Sequence, residues 1–354
     1  MDTIKTIGVI LLNLGGPDSL DAIRPFLYNL FSDRQIMKLG PSLLQKPLAW
    51  LISTLRSGKT EGMYRLIGGK SPILEITKAQ AASLEKALNT PSASGSQEST
   101  VKAEAMSKDS GGRLPTADSG RPSFKVYIGM RYWHPFIENT VRTMHDDGIS
   151  EVVGLSLYPH YSLATSGSSF SALEDAVKAF PMSIATIPSW FDHPLYIDAL
   201  TDLIVKARER LGSAGAGADI LFSAHSLPLS IVESGDPYVS HIMGTIDAVA
   251  KKMPARWHLS YQSKSGPVKW LRPATEEKIR ELAEKGVKEL LVVPISFVSD
   301  HIETLYEIDI LYKRLAEGLG IRLVRADSLN VHPLFIRALS DMVLKRAREA
   351  GWSP

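Results

Sequence analysis

Five short runs of branched and apolar residues, separated by longer helical stretches, constrain this chain more than any other feature of its sequence. They are Ile7 to Leu14, Lys125 to Gly129, Glu151 to Leu157, Asp219 to Phe222 and Glu289 to Ile295. Runs this short and this apolar mark parallel strands covered on both faces. The stretches between them read as helices, among them Glu75 to Leu88 and Glu276 to Lys285. The second has Thr275 as its expected N-cap, Glu276 and Glu277 in its first turn and Gly286 as its stop. Strand and helix in alternation predict an α/β fold of doubly wound, Rossmann-like type.

The pattern also repeats. "DGISEVVGLSLYPHYS" from Asp147 aligns with "KGVKELLVVPISFVSD" from Lys285, and "ILLNLGGP" from Ile10 aligns with "LFSAHSLP" from Leu221. This predicts two similar halves, and 354 residues is a length for two ordinary domains. We place them at 1–180 and 181–354, with the last helix packing back on the first half. The interval from Pro17 to Gly148 far exceeds that from Pro228 to Gly286, so the first half carries inserted material. One insert, residues 89–123, is rich in Ser, Gly, Pro, Thr and charge. It has too little apolar surface to offset its ordering entropy and reads as a disordered surface loop. The other lies at residues 40–55, where Leu43, Leu44, Leu48, Trp50 and Leu51 crowd around Pro41 and Pro47. A core helix and an exposed apolar lip for a hydrophobic ligand or bilayer both fit that pattern.

Composition removes several function classes. With 40 Lys and Arg against 38 Asp and Glu, the chain has no electrostatic footprint for nucleic acid. With no cysteine it has no disulfide, thiolate metal site or cysteine-held iron–sulfur cluster, which fits a reducing compartment. No apolar run approaches the roughly 20 residues of a membrane span. The expectation is a soluble, cytoplasmic protein, or at most one resting on the inner face of a membrane.

Polar residues collect at strand ends. His225 follows Ser223 and Ala224 where a strand hands over to a loop, the place where open α/β sheets gather ligands. At the end of the matching strand stand Ser299, Asp300, His301, Glu303 and Glu307. If residues 300–310 are helical, Asp300, Glu303 and Glu307 share one face. That row is a solvated surface or, beside an apolar pocket, a path for protons or metal ions. His225 with Glu303 offers one nitrogen and one oxygen donor, an incomplete set suited to holding a metal briefly. Arg131, Tyr132, Trp133 and His134 follow another strand and suit either a flat ligand or a turn with its aromatics packed inward. The turn Leu12 to Pro17, which holds Leu14, lacks both the dinucleotide and the phosphate-loop spacing.

The strings "LLNLGGPDSLDAIRPFLYNLFSDRQIM", "YRLIGGKSPI", "IGMRYWHP", "LYPHYSLATSGSS", "LFSAHSLP", "GDPY", "YQSKSGPVKWLRPATEE" and "PISFVSDHIETLYEID" stand in one order along nearly the whole chain. In them the sequence resembles the ferrochelatase family, lyases that insert Fe(II) into a porphyrin in the last step of haem synthesis. The resemblance implies two chelatase-like α/β domains with a porphyrin cleft between them. It implies that His225 and Glu303 are the essential pair, as catalytic groups and as transient metal ligands. It places Asp300, His301 and Glu307 on a proton or metal route, and Leu14, Arg56, Tyr64, Ser71, Arg131, Tyr132 and Trp270 at the porphyrin. Leu43 to Leu51 matches a hydrophobic lip associated in several members with membrane docking. The Leu-Asn-Leu-Gly-Gly-Pro start is similar to members that use protoporphyrin IX. The implied substrates are protoporphyrin IX and ferrous iron, with no tightly bound cofactor and no iron–sulfur cluster. A non-catalytic tetrapyrrole carrier or sensor, and a chelatase for another metal or porphyrin, remain as alternatives on the same scaffold.

Overall fold

The computed structural model describes residues 5–37, 39–90, 122–212, 217–264 and 268–353. The expected disordered insert falls almost wholly outside these residues. Two parallel four-stranded sheets organise the chain. In the first, β1 (Thr6–Asn13) lies between β2 (Ser123–Met130) and β3 (Glu151–Ser156), with β4 (Ser183–Ile187) outside β3. In the second, β5 (Asp219–His225) lies between β6 (Trp257–Gln262) and β7 (Glu289–Pro294), with β8 (Arg322–Arg325) outside β7. The two orders are the same, so the halves that align in sequence share one topology. Helices flank both sheets, the α/β arrangement that the alternating pattern predicts.

Several boundaries differ from the sequence reading. A division at residue 180 falls before β4, which completes the first sheet, so the sheets part only after Ile187. The strand expected to end at Phe222 runs on to His225, because Ser223 and Ala224 are fully buried and pair with Ser260 and Tyr261 of β6. Thr275 is the first helical residue rather than the cap. Its hydroxyl turns to the sheet, 2.9 Å from Ser223 Oγ and 3.0 Å from Ser260 Oγ. Ala274 occupies the cap position, and its N–H is taken by Glu277 from the first turn at 3.0 Å.

Three helices of the first half matter for the site: α1 (Ile23–Ser32), α2 (Gln45–Arg65) and α3 (Ile73–Asn89). α3 buries Leu84 and Leu88 in a core cluster that also takes in the C-terminal helix Pro333–Glu349 and the second sheet. Gln80 of α3 crosses to the other half, donating to Ser299 Oγ at 3.0 Å and to the Asn330 carbonyl at 2.8 Å. The cleft between the halves is therefore closed behind by apolar packing and a buried amide. α2 decides the question left open for residues 40–55. Gln45 and Ala49 face inward, whereas Leu43 is 88% and Leu55 73% exposed, with Leu44, Trp50 and Leu51 also open to solvent. The segment is an exposed apolar lip.

Candidate active site

His225 ends β5, the strand beside which the connections of the second sheet diverge, the position at which open α/β sheets bind ligands. The strand end is held firmly. His225 N–H donates to Ser296 Oγ at 3.2 Å, and its carbonyl accepts from Tyr238 Oη at 2.9 Å. Tyr238 Oη also lies 2.7 Å from Ser296 Oγ, which ties the ends of β5 and β7 together. With its backbone fixed, the imidazole has little freedom, and its Nδ1 stands 2.9 Å from Glu303 Oε2.

Glu303 opens a π-helix, Glu303–Tyr312, in the connection after β7. π-helical segments are rare and frequently stand at functional sites, and this one runs for ten residues. Ser263, the residue after β6, brings its hydroxyl to 2.7 Å from Glu303 Oε2 and 2.6 Å from Glu307 Oε2. Its φ of +66° lies in the left-handed region that a serine rarely adopts, so the turn is built to aim that hydroxyl. Gln262 donates to the Glu303 carbonyl at 3.2 Å and accepts from Ser223 at 2.5 Å, which fastens the start of the π-helix to the sheet.

Charge sets the protonation order. Burial opposes charge on His225, but the carboxylates of Glu303 and Glu307 reverse the sign and hold the imidazole above its ordinary value. Glu303 is buried too, yet His225, His301 and Ser263 keep its carboxyl well below the usual range. For Glu307 the balance is reversed: burial and the Glu303 charge push it well up, against the smaller lowering pull of Ser263 and His225. One carboxylate therefore stays ionised against the imidazole while the other is a reservoir for a proton. His301, shut in and resting on Phe297 with ring centres 4.2 Å apart, is held below its ordinary value by burial and stays neutral.

His225 and Glu303 face a cavity of about 260 Å³ between the halves. Its walls are apolar where α1 supplies Phe26, Leu27 and Phe31, and polar where Arg56, Tyr64 and Ser71 enter. The glycine turn after β1 makes room for that polar end. Gly15 has φ +84°, and a Cβ on Gly16 would stand 2.5 Å from Ser71 Oγ. Leu14, Trp270, His301 and Glu307 also line the cavity. Nine of the twelve residues singled out from sequence thus meet at one place.

The other three do not line it. Asp300 precedes the π-helix, so helical spacing does not carry it onto the face of Glu303 and Glu307. It accepts from Arg325 at 3.0 Å, Ser328 at 2.9 Å and Asn330 at 2.9 Å, and these partners hold its carboxyl low against the cost of burial. Arg131 and Tyr132 converge on Asp33 Oδ2, each at 2.7 Å, and on Ser168. Tyr132 is buried among the side chains of α1, behind the cavity wall that this helix builds, and Arg131 is part-exposed beside it. Nor do His225 and Glu303 head a metal cage. Among the described residues no three His, Asp or Glu side chains gather in a metal-holding group. Ser263, Gln262, Tyr238 and Ser296 were not singled out beforehand, since nothing in local spacing marks a serine or an amide as a neighbour of a distant histidine.

Known proteins give the same picture. The sequence model of the family described as Ferrochelatase matches residues 6–107 and 102–347. The chain is 46% identical over 347 residues to a ferrochelatase of Desulfotalea psychrophila, covering 98% of each chain. It is 46% identical over 346 residues to a ferrochelatase of Synechocystis, covering 96% of this chain and 82% of that one. Among solved structures it resembles SirB from Bacillus subtilis with Fe3+, at a TM-score of 0.53 and 10% identity over 99% of each chain, a likeness of fold alone. With a paired histidine and glutamate set in a duplicated α/β scaffold, and relatives this similar over nearly its whole length, the chain belongs to the ferrochelatase family.

Proposed function

We propose that the protein inserts Fe(II) into protoporphyrin IX to give protohaem, releasing two protons. The observation that carries this reading is the bond between His225 Nδ1 and Glu303 Oε2 at the wall of an apolar cavity between the halves. A free-base porphyrin must give up its two pyrrole protons as the metal enters. With Nδ1 engaged by Glu303, Nε2 is the ring nitrogen left to receive one. As Nε2 takes the pyrrole proton, the Nδ1 proton passes to Glu303, which leaves a neutral ring with its proton on Nε2; once Glu303 has passed its proton on and the ring proton has returned from Nε2 to Nδ1 through solvent, the imidazole takes the second. A carboxylate that orients a histidine and accepts its proton lets one base act twice.

The walls serve the rest of the substrate. Phe26, Phe31, Leu14 and Trp270 offer apolar and aromatic surface to the macrocycle, and Arg56, Tyr64 and Ser71 offer a cation and hydroxyls to its propionates. The cavity is below the roughly 300 Å³ of pockets for drug-sized ligands, so the wall built by α1 and α2 yields to admit a tetrapyrrole. The exposed leucines and Trp50 on α2 rest on a membrane surface, from which a poorly soluble porphyrin reaches the cleft. Among the described residues no helix is long and apolar enough to cross a membrane.

The test is an anaerobic spectroscopic assay of the purified protein with Fe(II) and protoporphyrin IX. Conversion of the free-base spectrum to that of haem is expected. Tight binding without conversion would make the protein a tetrapyrrole carrier instead.

A further inference from the structure

The bridge at Ser263 poses a counting problem. Its hydroxyl stands 2.7 Å from one carboxyl oxygen and 2.6 Å from another, both well within hydrogen-bonding distance. A hydroxyl owns one proton and can donate to only one of them; an ionised carboxylate can only accept. The second short contact therefore needs a further proton, carried by a carboxyl group that donates to the serine oxygen. Glu303 is ionised by its contact with His225, which leaves Glu307 as the donor. The resting arrangement is Glu307–OH to Ser263–OH to the Glu303 carboxylate.

We propose that Ser263 is the residue through which Glu303 and Glu307 exchange a proton, its hydroxyl receiving one hydrogen bond and giving the other. The inference rests on the reading of the protein as a metal-inserting enzyme and adds a positioning residue to it. In the step, Glu307, which is half-buried, first releases its proton to solvent. The proton that Glu303 has taken from His225 then moves to Ser263 Oγ while the serine gives its own to Glu307. One Glu303 oxygen loses an O–H bond, one Glu307 oxygen gains one, and the serine oxygen gains one and loses one, ending with the single proton it began with. Glu303 is ionised again and ready for the second proton of the reaction.

The backbone agrees with a functional reading. A serine with φ +66° is in a conformation that glycine adopts without strain. Were Ser263 only a turn residue, glycine would serve better. Keeping the hydroxyl at that cost, at the point where it touches both carboxyls, is the mark of a side chain retained for its oxygen.

Ser263→Gly is therefore the informative variant, with Ser263→Ala as its companion. Wild-type turnover is measured alongside: if wild type fails to insert iron, the enzymatic reading falls, which is a separate result. Given an active wild type, Ser263→Gly is expected to unfold at the same or a higher denaturant concentration, to bind protoporphyrin within about twofold of wild type, and to lose roughly tenfold or more in kcat. The double variant with Glu307→Gln should be no slower than the slower single one, because both cut the same route. Infrared difference spectra without substrate should show a protonated-carboxyl band in wild type that shifts in Ser263→Gly. Multiplicative losses in the double variant, kcat within twofold of wild type, an unshifted band, or a parallel loss of porphyrin binding would each overturn the proposal.

Discussion

Replacing Glu303 by Gln keeps the outline of the side chain and removes its charge, and the structure sets both the size of the effect and its dependence on pH. Glu303 Oε2 accepts two hydrogen bonds, from His225 Nδ1 at 2.9 Å and from Ser263 Oγ at 2.7 Å. A bond to an ionised acceptor contributes roughly 1 kcal/mol more than one to a neutral amide. The variant therefore loses up to about 2 kcal/mol of stability where the site is fully charged, less the screening by solvent that reaches His225 from the cavity. His225 has a raised folded pKa, so its contribution is complete below its ordinary 6.5 and disappears as pH climbs through the raised value. Glu303 has a depressed folded pKa, so its contribution is present above its ordinary 4.5 and is lost as pH falls through the lower one. Glu307, pushed up by burial and by Glu303, weakens the fold increasingly as pH rises above 4.5. Together these make the deficit of the variant largest between 4.5 and 6.5 and shrink it as pH rises through the raised His225 value, where the imidazole loses its charge and only the variant is spared the Glu303–Glu307 repulsion.

Activity moves differently. Without Glu303 the His225 Nδ1 proton has no carboxylate to enter, so iron insertion should fall about a hundredfold or more. Residual activity should follow an imidazole that titrates lower than in the wild type, because burial remains while Glu303, the larger of the two charges that raise it, is removed. Denaturant unfolding at three pH values, porphyrin titration and anaerobic initial rates distinguish these effects. A variant with more than about a tenth of wild-type turnover, or one destabilised equally at every pH, would refute the coupled-pair reasoning.

His225→Ala should abolish insertion while leaving porphyrin affinity within a fewfold of wild type, as read by initial rates and fluorescence titration. Asp300→Asn should cost about 2 kcal/mol at neutral pH, since Arg325 loses one carboxylate and keeps Asp309. Asp300 has a depressed pKa, so this deficit should shrink as pH falls below its ordinary 3.8 and vanish only once pH has passed through the lowered folded value in unfolding experiments. Leu43→Asp with Leu55→Asp should weaken cosedimentation with phospholipid vesicles about a hundredfold and leave the unfolding midpoint unchanged, because both side chains are exposed.

What the sequence disclosed follows from where each residue sits. The central strands β1, β3, β5 and β7 are covered on both faces and show as apolar runs. β2, β4, β6 and β8 stand at sheet edges with mixed burial; β2 still shows through Val126, Tyr127 and Ile128, whereas "SIATI", "WHLSYQ" and "RLVR" carry no comparable signal. The lip was visible as an apolar cluster, but its exposure depends on which side of α2 meets α1, and spacing around two prolines does not decide that. His225 and Glu303 could be named because each follows a central strand. Asp300 was grouped with Glu303 by helical spacing that begins only three residues later, while Arg325, which neutralises it, lies in an edge strand. Ser263 was hidden for the opposite reason: a glycine at that turn would have announced the left-handed backbone, and the serine conceals it.

The duplication explains why one wall of the cleft is reactive and the other is not. In the aligned repeats Leu14 stands where His225 stands, and the alignment from Asp147, extended by three residues, sets Ser162 against Asp300 and Thr165 against Glu303. Leu14 and Thr165 line the same cavity as His225 and Glu303, and each half has a π-helical segment at the matching place, Leu163–Gly167 in the first and Glu303–Tyr312 in the second. Both halves thus deliver a strand end and a widened helical turn to the cleft. The first half brings a leucine and a threonine there, and the second brings a histidine hydrogen-bonded to a glutamate. Ser162 accepts from the N–H of Ala164 and donates to Asp236, whereas Asp300 takes Arg325, Ser328 and Asn330. In each half this residue anchors the start of the widened turn. That anchoring accounts for Asp300 better than a place on a proton route, because the duplicated position does the same work where there are no protons to move.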